Sequence, residues 1–177
     1  TQSRSSAASD VYKRQERARS GFSTTTTLEF TTTAHSTWLD FIGESVERVV
    51  VNGVERDVIY DGARIELRDL ADTNVVRVEA VGSYSRSGEG LHRFHDPVDD
   101  RTYLYTQYEP ADSRRVMACF EQPDIKAPYT FVIDAPAGWE VLSNQVAATV
   151  DAGVGVQRVE FAPTLPISSY ITSVAAG

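Results

Sequence analysis

Residues Val46–Ile59 read VERVVVNGVERDVI. Two runs rich in β-branched residues flank Asn52-Gly53. An Asn-Gly pair accepts positive φ at both central positions of a two-residue hairpin turn. The stretch therefore predicts two antiparallel strands, Val46–Val51 and Val54–Ile59. The same texture continues on both sides. Phe22–Thr33, FSTTTTLEFTTT, is dense in β-branched residues and predicts a strand. Asp61-Gly62 marks the next turn, and Arg64–Leu67 and Val75–Val81 alternate apolar with polar. After a polar, glycine-containing loop over Ser85–Asp100, strands are expected at Thr102–Glu109, Tyr129–Asp134, Trp139–Ser143, Val156–Phe161 and Ser168–Ala175. Pro136-Ala137-Gly138 and Asp151-Ala152-Gly153 supply turns between them. Helical periodicity is scarce, and about nine or ten short strands imply one all-β, sandwich-like domain.

The bulk numbers bound the function. At 177 residues, 41% hydrophobic and 24% charged, the chain is long enough for a real core. No apolar run approaches the ~20 residues of a membrane helix. The net charge of -8, with no basic stripe, argues against nucleic acid as a partner. The single cysteine, Cys119, excludes an internal disulfide and fits a reducing, cytoplasmic compartment. Set between Met117, Ala118 and Phe120, it reads as a buried apolar group.

Arg101–Arg115, RTYLYTQYEPADSRR, carries the chemistry. Residues two apart on a strand share a face, so Gln107 and Glu109 are expected beside Tyr103 and Tyr105. Pro110 stops the strand. An amide and a carboxylate walled by two aromatic rings suit an ammonium group. A polar strand face open to water would look the same from periodicity alone. Arg114 and Arg115 are expected to pair with acids such as Asp112 or Glu121.

Other constellations are weaker. His92, His95 and Asp96 hint at a metal loop, but histidines three apart on a strand face opposite ways, and a zinc site needs three or four converging ligands. The only other histidine is His35, so there is no HExxH. There is no nucleophile elbow and no phosphate loop. No residue of this chain is assigned as catalytic or as a metal ligand.

Ser5–Gln15, SSAASDVYKRQ, matches the translation of a transposon-type sequencing adapter across its length. Residues 1–15 are set aside on that ground, leaving 16–177 as the domain with its first strand missing. That segment holds Arg4, Lys13, Arg14 and Asp10, so the remainder has 14 basic and 24 acidic residues. The apolar run at the end, SYITSVAAG, gives the expectation of a piece of a longer protein.

Gly88–Gln145 resembles the N-terminal domain of the aminopeptidase N family of zinc metallopeptidases, in its actinobacterial versions. The likeness rests on YLYTQYEPADSRR, on CFEQPDIKAPYTF, and on a Trp followed by SNQ. ISSYITSVAAG, Ile167–Gly177, resembles the end of that domain. The resemblance implies a saddle-shaped, mostly antiparallel β-structure that packs on its own catalytic domain, which is absent here. It implies that Glu109 binds the free α-amino group of a peptide substrate and that Gln107 contacts the substrate's first residue. The catalytic domain would hold zinc through HExxH plus a distant Glu, add a GxMEN contact to the amine, and supply the Tyr that stabilises the oxyanion. This chain carries none of these and is expected to be inactive alone. Glu121 and Gln122 stand at the variable places of the family's F-D-E-P run. The alternative is a non-catalytic relative, a β-rich scaffold or binding module.

Overall fold

The computed structural model describes residues 2–8, as backbone, and 21–177. The strands are β1 Gln2–Ala8, β2 Gly21–Thr31, β3 Thr37–Asp40, β4 Ser45–Val51, β5 Val54–Arg56, β6 Arg64–Leu67 and β7 Thr73–Ser83. They continue as β8 Gly90–Asp96, β9 Arg101–Gln107, β10 Tyr129–Pro136, β11 Val141–Ser143, β12 Ala147–Ala152, β13 Val156–Phe161 and β14 Val174–Ala176. Among the described residues the only helical turns are 3-10, at Ser113–Arg115 and Ser169–Ile171.

Three sheets result. An eight-stranded sheet runs β12-β13-β10-β1-β2-β7-β4-β5, a four-stranded sheet runs β11-β14-β9-β8, and β3 pairs with β6. The β1–β10 pairing is parallel, and the others are antiparallel. Asn52 (φ 52) and Gly53 (φ 81) make the expected hairpin turn between β4 and β5. The Asn52 side chain accepts from Val75 N (2.8 Å) and donates to Asn74 Oδ1 (3.0 Å), tying the turn to β7. At Asp61-Gly62 the Asp61 carboxylate accepts from Ala63 N and Arg64 N. Those backbone donors hold its pKa below the usual carboxylate range.

Burial follows the period of two. In β2, Phe22, Thr24, Thr26, Leu28 and Phe30 are buried while their neighbours are not. Leu28, Phe30, Val76, Val78, Val49 and Val51 of the large sheet meet Leu39, Ile65 and Leu67 of the β3–β6 pair. Further along the same sheet, Phe131, Ile133, Val159 and Phe161 meet Val141 of β11 and Ala176 of β14, with Met117 and Cys119 filling the join. The large sheet is thus faced by a small sheet at each of two places, a sandwich-like all-β arrangement.

Several sequence expectations change. The backbone of Gln2–Ala8, which includes the start of the adapter-like run, stands as a strand between β2 and β10. Two facing rows of unpaired N–H and C=O groups accept any extended segment through its backbone. Residues 9–20, which contain the rest of the adapter-like run, lie outside the described residues. The expected loop over Ser85–Asp100 contains β8, whose polar residues are held extended by the ladder to β9. β3 and β12 are strands that alternation does not announce. Ser168–Ala175 is not one strand. Its hydroxyls take local and cross-chain partners, Thr172 Oγ1 on Ser169 O (2.7 Å) and Ser168 Oγ on Pro123 O, so a 3-10 turn precedes β14.

Candidate functional site

β9 lies between β14 and β8 in the four-stranded sheet. Leu104 turns inward against the second core. Thr106 Oγ1 accepts from Val174 N (2.8 Å) and donates to Val174 O (3.3 Å), locking the end of β9 to β14. The other face carries Tyr103, Tyr105 and Gln107, all exposed. The Tyr105 ring lies 4.9 Å from that of His92, its cross-strand neighbour. Tyr103 OH donates to Asp99 Oδ2. That bond lowers the Asp99 pKa and raises that of Tyr103. Phe94 (47% exposed) and Leu142 (57%) extend the apolar surface of this sheet.

The expected strand through Glu109 ends instead at Gln107. Tyr108 drives its ring inward (2% exposed) against Phe22, Leu91 and Val116. Its carbonyl accepts from Asp112 N (2.8 Å), which starts a turn, and Pro110 has no N–H to continue the ladder. The Glu109–Pro110 bond is cis. Burial alternates across the junction all the same: Gln107 and Glu109 are exposed, and Tyr108 between them is buried. Neither the Gln107 amide nor the Glu109 carboxylate makes a hydrogen bond or ion pair with another described residue.

Behind the turn lies Glu121, expected only as an ion-pair partner of Arg114 or Arg115. Glu121 accepts from Ser113 Oγ and Ser169 Oγ (2.8 Å) on one oxygen. On the other it accepts from Arg114 N (2.7 Å) and the Cys119 thiol (3.8 Å). Burial, and then the Glu121 charge, push the Cys119 thiol well above its ordinary pKa, so it stays a neutral donor. The expected Arg115–Asp112 pair forms at 2.7 Å. Arg114 meets Glu121 through its main-chain N–H, and its buried Nε has no partner among the described residues.

His92 and His95 do not come together. His95 contacts Asp100 Oδ1 (3.1 Å) and Thr102 Oγ1 (3.4 Å) while His92 stacks on Tyr105, on opposite faces of β8. Among the described residues no three His, Cys, Asp or Glu side chains gather as a metal site. The donor set does not fit zinc, which takes three or four convergent ligands.

The architecture recurs as part of a longer solved chain. It superposes on an M1 zinc metallopeptidase mutant from Deinococcus radiodurans with a TM-score of 0.79, at 17% identity, covering 99% of this chain and 41% of that one. The Peptidase M1 N-terminal domain model matches residues 44–171, and the chain belongs to that family. It is 45% identical over 143 residues to the aminopeptidase N of Streptomyces lividans, a match covering 79% of this chain and 16% of the relative. It is 29% identical over 163 residues to a probable M1 family aminopeptidase of Encephalitozoon cuniculi, covering 18% of that protein. The chain thus spans about a sixth of these relatives. Among the described residues no helix is long and apolar enough to cross a membrane.

Proposed function

We propose that this chain is the N-terminal domain of a zinc aminopeptidase and that Gln107 and Glu109 recognise the free α-amino end of a peptide substrate. One observation carries the reading. Two polar side chains with no partner of their own stand at the end of an aromatic strand face, inside the segment that matches the family. An exopeptidase must register a chain end, and the terminal ammonium is what distinguishes that end. Glu109 pairs with it by charge, and Gln107 holds the first residue by a neutral hydrogen bond. An internal peptide segment offers no cation and leaves the carboxylate unpaired, which is costly once water is excluded.

The exposed face of Phe94, Tyr103, Tyr105 and Leu142 suits packing on a catalytic domain carried elsewhere in the polypeptide, which would also hold the zinc. Residues 1–15 stay outside this reading as non-native sequence, and the compartment we assign is the cytoplasm.

In the intact enzyme, Glu109→Gln and Glu109→Ala should lower kcat/KM on peptides with a free amino end by about 10- to 1000-fold, with Gln107→Ala losing less. Unchanged kinetics in the Glu109 variants would remove the residue from the site. An intact chain without peptidase activity would favour the scaffold alternative.

A further inference from the structure

We propose that Glu121 is a positioning residue for Glu109, so that a carboxylate that never touches substrate sets how well the substrate's amine is held. The inference rests on the reading of Glu109 given above. It starts from the ring of contacts that Glu121 closes.

The Glu121 carboxylate joins three separate segments. Ser113 and Arg114 belong to the 3-10 turn that follows Glu109, Cys119 belongs to its own segment, and Ser169 opens the 3-10 turn before β14. β14 is hydrogen-bonded to β9, the strand that leads into Glu109. The chain therefore runs from β9 through the turn to Glu121, across to Ser169, and back to β9 through β14. Glu109 sits on the short arc of this ring, between Tyr108, whose ring is buried, and Ser113, which is fully buried. Arg114 O accepts from Ile42 N (2.8 Å) and Asp112 N bonds to Tyr108 O (2.8 Å), so the arc is pinned at both ends. The Glu109 side chain has no tether of its own among the described residues. Its place is set by these pins, and the charge-assisted bonds of Glu121 are the strongest kind among them.

The donor pattern also says which substitution is tolerated. One Glu121 oxygen faces a main-chain N–H, which only donates. The other faces two hydroxyls, which donate or accept. Glutamine fits with its carbonyl on Arg114 N and its amide on the two serines. Alanine removes the shared acceptor from all three.

The test is a double-mutant cycle in the intact enzyme, read as kcat/KM on peptides with a free amino end. Glu121→Ala should lower kcat/KM by about 10- to 100-fold, the scale of a roughly 1 Å misplacement at a site. Glu121→Gln should stay within about threefold of wild type. In the Glu109→Ala background the loss from Glu121→Ala should shrink to about twofold or less, because nothing is left to position. Equal losses in both backgrounds would overturn the proposal and make Glu121 a general support of the fold. So would wild-type kinetics in Glu121→Ala. If Glu121→Ala does not fold, Ser113→Ala enters the same cycle. Its loss should collapse beside Glu109→Ala in the same way, and a loss that persists there would overturn the proposal. A Glu109→Ala enzyme with normal kinetics would instead sink the amine-recognition reading, whatever the Glu121 variants do.

Discussion

β7 and β9 are both alternating strands inside sheets, and they put alternation to different uses. β7 lies between β2 and β4, and Asn74, Val76, Val78, Ala80 and Gly82 are buried while the residues between them are less so. β9 has no fully buried residue, and its aromatic side chains, Tyr103 and Tyr105, are on the open face. In β7 the inward-facing apolar positions are consumed by the fold, and of the apolar residues on its other face only Val75 is left exposed. In β9 an apolar face is left over, with Gln107 on it and Glu109 just past its end. The contrast separates residues that build the domain from residues available to something outside it.

The first way to break that comparison is to cut into the β2–β7 side. Leu28 is 2% exposed and packs among Val76, Val78 and the β3–β6 pair. Leu28→Ala should cost about 2–5 kcal/mol of stability by chemical denaturation. A cost below about 1 kcal/mol would mean that this half is not the close-packed core described. Gly82 offers a smaller probe of the same half. It lies opposite Phe22, and a Cβ there would run into the Phe22 ring. Gly82→Ala should cost about 1–3 kcal/mol, as overpacking does. The change should be small in a Phe22→Ala background, where the ring is gone.

The same contrast explains what the sequence discloses. β2, β4 and β7 are legible because each has one wet and one dry face, which writes a period of two into the residues. The Asn52-Gly53 and Asp61-Gly62 turns are legible because their backbone needs a special residue. β8 is not, since His92, Arg93, His95 and Asp96 are extended only because β9 lies alongside. β12 is an edge strand with all six residues exposed, so it has no dry face to leave a pattern. At the candidate site, the shared exposure of Gln107 and Glu109 is legible by parity, and parity survives even though the ladder stops between them. Glu121 is not, because its partners Ser113 and Ser169 lie 8 and 48 residues away and only the fold assembles them.

Tyr108 joins the two regions, with its ring in the Phe22 cluster and its neighbours at the site. Its hydroxyl is buried and makes no hydrogen bond of ordinary geometry among the described residues, the Thr106 side chain acting on it only weakly against the effect of burial. Tyr108→Phe should therefore be neutral to stabilising by about 1 kcal/mol, since it removes a desolvated polar group and keeps the ring. Burial raises the Tyr108 pKa above its ordinary value of 10.0. The unfolded chain then ionises first, so the stability held by the neutral form is complete below pH 10 and falls as pH rises beyond it. The advantage of Tyr108→Phe over wild type should widen above pH 10 in denaturation measured against pH. A constant difference would show that the hydroxyl is not the group being desolvated.

The smallest expected change falls on the open face of β9. Tyr105 is 44% exposed, and among the described residues its ring stacks only on His92. Threonine keeps the strand preference at that position while removing the ring. In the chain as described, Tyr105→Thr should alter stability by about 0.5 kcal/mol or less, as surface substitutions do. If the face packs on a catalytic domain, the same substitution in the intact enzyme should cost more, because there the ring is desolvated against a partner surface. Equal effects in the two settings would leave the aromatic face as mere exposed surface. A large loss in the isolated chain would mean that β9 resembles β7 after all, with its outer ring already part of the core. A small loss alone and a larger one in the whole enzyme is what a strand built in two halves, one for the domain and one for its neighbour, has to show.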